Sequence, residues 1–115
     1  MTYISDNLNS SDYGHYNCLL CGENNRWGLG LKFKLLSDGR VHTNFKPSEI
    51  LQGYKGILHG GVISGMMDCA MVHCLFYNGI SAVTADLNVR FIYSVPITAK
   101  LDLYGKIIKN RRKLI

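Results

Sequence analysis

The feature that most constrains the fold is one apolar stretch, HGGVISGMMDCAMVHCLFY. Its apolar residues lie nearly all round a helix, so it predicts a helix over residues 61–77 that other elements wrap. Asn78 and Gly79 follow, and glycine suits the left-handed position after a helix. The run is short and is interrupted by Asp68 and His73, which argues against a membrane span. An unpaired carboxylate is costly to bury, so Asp68 needs a hydrogen-bond partner or a chemical role.

Alternating apolar residues predict antiparallel strands on both sides of this helix. Residues 29–35 and 41–45 alternate around the turn sequence SDG, and residues 83–91 alternate after the helix. ITAKLDLYGKII reads as another strand and RRKLI as the start of one more. The order β-β-α-β-β-(β) predicts a curved antiparallel sheet around one helix. Because the sequence stops on the apolar letters KLI, we expect the final strands to be missing or a partner subunit to cover this end.

Composition indicates one globular domain. The chain has 115 residues, 47% of them hydrophobic and 18% charged, which excludes a disordered tail. The net charge of +5 is concentrated near the C-terminal end, without an RNA-binding motif. A solvated strand or turn explains these charges, and a basic nucleic-acid-binding domain is the alternative. We predict no nucleic-acid partner. The basic residues are Lys106, Lys109, Arg111, Arg112 and Lys113.

The N-terminal residues are polar and lack the apolar core of a signal peptide. We therefore expect a cytoplasmic protein in which residues 1–17 form a flexible arm and residues 18–115 the domain.

The cysteines do not suggest a disulfide framework, because two of the four lie within the apolar helix. Cys18 and Cys21 have zinc-like spacing, and His15 lies close by in sequence. Three ligands are one fewer than a structural zinc site requires. Cys69 and Cys74 are expected to be packed away, so no metal site is predicted.

The stretch LQGYKGILHGGVISGMMDCAM resembles the signature of the hotdog-fold acyl-CoA thioesterases, in the branch related to the phenylacetate-pathway enzymes. CLLCGENNRWGLGLKF, TADLNVRFIYSVP and KLDLYGKIIKNRRKLI resemble the strands of that group, so the resemblance covers roughly residues 18–115. It implies an α+β hotdog fold, with one central helix wrapped by a curved antiparallel sheet. It also implies an acyl-CoA thioesterase that needs no cofactor.

Thioester hydrolysis requires a group that polarises the carbonyl and a carboxylate that activates water or attacks directly. Gly60 and Gly61 lie where the helix begins, and the unpaired N–H groups of a first helical turn can hold an oxyanion. His59 would orient the loop or contact the ligand. Asp68 is the predicted general base or nucleophile. The alternatives are a structural acid at Asp68, a loop-bracing histidine and glycines that serve only close packing.

Four further residues are candidates for substrate binding: Gln52, Gly53, Ser64 and Thr84. Some relatives in the resembled group carry an asparagine in the loop before His-Gly-Gly that holds the nucleophilic water. Gly53 occupies that place here, which puts the water-holding role in doubt, and Gln52 beside it is a candidate substitute. Ser64 and Thr84 would line the site, although hydroxyls on helices and strands usually satisfy the backbone.

The predicted catalytic groups require two subunits. Gly61 and Asp68 share a helix face but are two turns apart, too far to act on one thioester. The resemblance implies a site across a dimer interface, so we predict a homodimer or a dimer of dimers. The alternative function is a non-catalytic hotdog module that binds a thioester or serves assembly.

Overall fold

A single α-helix packed against a three-stranded antiparallel sheet forms the computed structural model, which describes residues 14–108. The elements in chain order are β1 Lys34–Leu35, β2 Val41–Phe45, a 3₁₀ helix at Glu49–Leu51, α1 Gly60–Tyr77 and β3 Leu101–Gly105. β2 is the central strand, between β1 and β3. The predicted strand start at RRKLI and most of the predicted N-terminal arm lie outside the described residues, so the domain boundary stays a prediction.

The first hairpin confirms the alternation read from the sequence. Leu31 and Phe33 are buried, whereas Lys32 and Lys34 are exposed. Only the last two residues of the predicted strand pair with β2. The strand does not extend back to residue 29, because Gly30 has a φ of 64°, and the N–H groups of Leu29 and Leu31 donate to the carbonyls of Leu19 and Leu20. The turn has Gly39 at a φ of 89°, a left-handed conformation that favours glycine.

The central helix begins one residue earlier than predicted and ends where predicted. α1 starts at Gly60, and Gly79 follows its end at a φ of 83°. It is long and apolar enough to cross a membrane by composition alone, a test that the core helix of a soluble protein also passes. Its buried residues are Met66, Cys69, Ala70, His73, Cys74, Phe76 and Tyr77.

The strand predicted at residues 83–91 is wrong for the described chain. This segment makes no strand, because nothing within residues 14–108 offers it a ladder of backbone hydrogen bonds. Its apolar side chains are largely in solvent: Val83 is 91% exposed and Phe91 54%. The strand predicted next along the chain is present as β3, which pairs with β2 over its full length.

Candidate active site

The start of α1 carries one occupied and one open backbone donor. His59 is the N-cap residue, and its Nδ1 accepts a hydrogen bond of 2.8 Å from the Gly61 N–H. The Gly60 N–H has no hydrogen-bond partner within residues 14–108. Because the N-terminal end of a helix carries partial positive charge, the Gly60 N–H is the donor available to a developing oxyanion. The structure thus gives His59 a loop-bracing role and separates the two glycines.

The two glycines also differ in what surrounds them. A Cβ at Gly61 would lie 3.0 Å from the His59 imidazole, so a side chain there would push on the cap. A Cβ at Gly60 would meet only the Phe91 ring, at 3.5 Å. A side chain at Gly61 would therefore displace the His59 imidazole from the cap, whereas the fold tolerates a small side chain at Gly60.

Asp68 has a hydrogen-bond partner. It is half-buried on α1, and the Thr84 hydroxyl donates to its Oδ1. Thr84 is exposed on the segment after the helix. One carboxylate oxygen is therefore oriented by Thr84, and no hydrogen bond of the other oxygen is found within residues 14–108. The structure brings Asp68 and Thr84 together as a pair.

The other predicted binding residues are engaged by the backbone. The Ser64 hydroxyl donates to the Gly60 carbonyl at 3.0 Å, the usual alternative for a helical serine. The Gln52 amide donates to the Glu49 carbonyl, and its oxygen accepts from the Gly56 N–H at 2.6 Å. Gln52 therefore braces its own loop, and its role as a substitute for the asparagine of the resembled group stays a prediction.

Gly53 lies directly beside the N-cap histidine. A Cβ at this position would be 3.3 Å from both Cα and Cδ2 of His59. Its N–H donates to the Ile57 carbonyl, which closes the loop ahead of α1. Gly53 thus allows the loop to approach His59 closely.

An apolar cavity of about 350 Å³ adjoins the start of the helix. Met66 and Phe76 of α1 are buried in the core and Met71 is partly exposed, so none of the three lines this cavity. The stretch CLLCGENNRWGLGL supplies four of the nine lining residues, and its leucines were the sequence signal for this wall. The lining residues are Leu19, Leu20, Trp27, Leu29, Leu51, His59, Gly61, Val62 and Gly65.

Gly61 and Asp68 are not brought together within one chain. They are seven residues apart on a continuous helix, which separates them by about 10 Å along the axis. The structure holds one chain, so the predicted pairing across a dimer interface is not tested by it.

A second group of reactive side chains lies where the N-terminal segment meets α1. Cys21 is buried beside His15, whose Nδ1 is 3.5 Å from its Sγ. A hydrogen bond from Cys69, opposed by burial and supported by His73, lowers the pKa of Cys21 well below its usual value. The same contact with Cys21, together with burial, raises the pKa of Cys69. Cys69 and Cys74 are both buried, as the sequence predicted, and Cys69 is buried near Cys21.

The helix against an antiparallel sheet, with its N-terminus beside an apolar cavity, defines the α+β hotdog class. The family model described as the thioesterase superfamily matches residues 55–115, more than half of the chain. The chain therefore belongs to the thioesterase superfamily, which confirms the resemblance at that level.

Curated relatives agree with this assignment. The acyl-coenzyme A thioesterase THEM4 of Bos taurus is 34% identical over 91 residues, which are 76% of this chain and 37% of the relative. The acyl-coenzyme A thioesterase THEM5 of Homo sapiens is 36% identical over 53 residues, 46% of this chain and 22% of the relative. The chain thus spans less than two fifths of the length of these relatives.

Solved structures share the fold. A crystal structure described as a thioesterase superfamily protein has a TM-score of 0.78 at 26% identity and covers 83% of this chain and 47% of its own. Zebra fish thioesterase superfamily member 2 has a TM-score of 0.71 at 17% identity, over 95% of this chain and 79% of that one. The second likeness concerns the fold alone.

Proposed function

We propose that the protein hydrolyses an acyl-CoA thioester, with Asp68 as general base or nucleophile. The observation that carries the proposal is the open Gly60 N–H at the start of α1, beside an apolar cavity and on the same helix as an oriented carboxylate. Membership of the thioesterase superfamily and the acyl-CoA thioesterases among its relatives support this reaction class.

The proposed chemistry divides between two helix positions. The Gly60 N–H donates to the thioester oxygen as negative charge develops on it, aided by the positive end of the helix dipole. Asp68 removes a proton from the attacking water, or attacks the carbonyl itself. The thiolate of CoA leaves when the tetrahedral intermediate collapses. Thr84 holds the carboxylate in position through its donated hydrogen bond.

The acyl chain is proposed to occupy the cavity beside Gly61. Its wall is mainly apolar, and a volume of about 350 Å³ suits a small or medium acyl group. Trp27, which is 74% exposed, lies at the cavity and would cover such a group. The protein is proposed to act in the cytoplasm, where acyl-CoA substrates are available.

A homodimer, alone or as half of a tetramer, completes the proposed site. The separation of about 10 Å between Gly61 and Asp68 of one chain exceeds the reach of one thioester carbonyl. Pairing Gly60 of one subunit with Asp68 of the other would give two equal sites around a two-fold axis.

The test is thiol release from short, long and aromatic acyl-CoAs by the wild-type chain and by Asp68→Asn. General acid–base catalysis contributes typically 10²–10⁴-fold, so we expect Asp68→Asn to lower kcat by roughly that factor. Circular dichroism and the melting temperature control for folding. Unchanged turnover in Asp68→Asn, or no thiol release by the wild type from any substrate, would overturn the proposal.

A non-catalytic, ligand-binding module is the second candidate, and the loop favours it. Gly53 replaces the asparagine, and both polar atoms of the Gln52 amide are bonded to the loop backbone. Neither Gly53 nor the engaged amide of Gln52 is therefore available to hold a water. A melting temperature that rises with acyl-CoA, without release of thiol, would select this candidate.

A further inference from the structure

The cluster between the N-terminal segment and α1 has the composition of a metal site. His15, Cys21 and His73 each place a ligand atom within 4.8 Å of the other two. In a tetrahedral zinc site the ligand atoms are roughly 3.3–3.8 Å apart, given zinc–ligand distances of about 2.0–2.3 Å. The Nδ1 of His15 is already 3.5 Å from the Sγ of Cys21. Inward shifts of about 1 Å would close the site around an ion.

His73 supplies an independent indication. Its side chain is buried, with 6% of the residue exposed, and stacks on the Phe33 ring at 4.8 Å. Its Nε2 has no hydrogen-bond partner within residues 14–108. An unsatisfied polar atom in a core is costly and calls for an explanation. An ion bound at this nitrogen would give it the partner that residues 14–108 do not.

Cys69 is the candidate fourth ligand. It precedes His73 by four residues, so both side chains project from the same face of α1. It acts on Cys21 closely enough to lower the pKa of that thiol, but its Sγ is not among the atoms that lie within 4.8 Å of one another, so it would move toward a bound ion. The sequence suggested at most three ligands, because the helix residues of this cluster come close to Cys21 only when the chain folds.

We propose that His15, Cys21, Cys69 and His73 bind one zinc ion that fastens the N-terminal segment to α1. Two thiolates and two neutral imidazoles balance the charge of Zn²⁺, so the occupied site is neutral and suits a buried position. Four protein ligands leave no open coordination position, which makes the ion structural.

The ion would also shape the cavity beside the helix start. Leu19 and Leu20 immediately precede Cys21 and line that cavity. Leu20 also packs over Gly65, where a Cβ would lie 3.6 Å from it. Residues 14–28 contain turns but no helix or strand. A metal link therefore holds a wall that regular secondary structure does not, as metals do in other small folds.

The first experiment uses the full chain, purified without chelator from zinc-supplemented cells. Mass spectrometry of the metals should find about one zinc per chain. After zinc removal, titration with Co²⁺ should produce the thiolate-to-cobalt charge-transfer absorption and the intense visible bands of a tetrahedral site. A wild-type chain that gives no such absorption with cobalt would overturn the proposal, whatever its variants do.

The second experiment compares variants with a matched control. Cys21→Ser and His73→Asn should each lose the bound zinc and lower the melting temperature. Cys74→Ser should keep the zinc, because Cys74 is buried on the same helix but its Sγ contacts the Gly39 carbonyl outside the cluster. Equal zinc content in Cys21→Ser and the wild type would overturn the site. So would a metal-free native chain 2 Da lighter through a Cys21–Cys69 disulfide.

Discussion

At the scale of single residues, removing the hydroxyl of Thr84 can distinguish a catalytic Asp68 from a structural one. It donates to the carboxylate from a segment that is otherwise exposed. If the pair served only stability, replacing the threonine would change the melting temperature and leave kcat alone.

We predict that Thr84→Val lowers kcat for thiol release by roughly 10–100-fold, since a hydrogen bond to a charged group contributes about 1.5–3 kcal/mol. Thr84→Ser is the control, because it keeps the donor and should retain most of the activity. The measurement is kcat at saturating substrate, with the melting temperature of each variant. Wild-type kcat in Thr84→Val would count against a catalytic role for the pair.

His59 can be tested for its two possible roles separately. His59→Ala removes the acceptor for the Gly61 N–H and should lower the free energy of unfolding by about 1 kcal/mol, as other lost N-caps do. His59→Asn should restore that stability, because asparagine is a good N-cap. Urea denaturation measures both. A stable and active His59→Asn identifies a cap, whereas a stable variant with raised KM identifies a ligand contact.

At the scale of elements, α1 and β3 approach each other closely at a single glycine. A Cβ at Gly105 would lie 2.5 Å from the carbonyl oxygen of Ala70, and 3.0 Å from a methyl group of Val41. Glycine is therefore required there for helix–sheet packing, although nothing in the alternating pattern of LDLYG marks it.

We predict that Gly105→Ala lowers the free energy of unfolding by about 1–3 kcal/mol, which is the usual cost of overpacking a core. Lys106→Ala, at the exposed neighbouring position, is the control and should be nearly neutral. Adding Ala70→Gly should not rescue the variant, because the obstacle is a backbone oxygen. Recovery of stability in that double variant would refute this explanation.

The elements also show what the sequence could predict. The first hairpin was predictable because its apolar residues alternate around a turn with Gly39, and α1 because an apolar run of helical length ends at Asn78 and Gly79. The segment 83–91 has an equally regular pattern, yet it forms no strand within the described residues, because pairing depends on a neighbour that no pattern encodes. The roles of His73 and Leu20 were hidden for the same reason: each depends on residues that are distant in sequence.

At the scale of the whole molecule, the segment that follows α1 exposes several apolar side chains. Val83, Ile92 and Tyr93 in it are 91%, 72% and 85% exposed. Single apolar side chains on a surface are normal, whereas several within one segment are candidates for an interface. Both edges of the three-stranded sheet are also unpaired within residues 14–108. These features support the proposed homodimer.

The shared site can be tested with a variant that removes the backbone N–H of Gly60 and keeps the fold intact. Gly60 is the first helical residue, a position where proline is favoured. His59 before it has the extended conformation that proline prefers in its neighbour, with a φ of −61° and a ψ of 131°. Gly60→Pro therefore removes the open N–H without disrupting α1. Its kcat should fall by roughly 10²–10³-fold, as for other lost oxyanion donors, while Gly60→Ala keeps its N–H and its activity.

Mixing the Gly60→Pro chain with an Asp68→Ala chain then tests whether two subunits share each site. In a heterodimer of a Gly60→Pro chain with an Asp68→Ala chain, one site combines both lesions and the other combines the intact Gly60 with the intact Asp68. An equal mixture that exchanges subunits freely should recover about a quarter of the wild-type activity, because half of the dimers are mixed and each has one good site of two. If each site lay within one chain, every site in the mixture would carry a lesion, and activity would stay at the level of the separate variants. Light scattering on the same samples shows whether dimers are present, and a monomer that retains full activity would exclude the shared site.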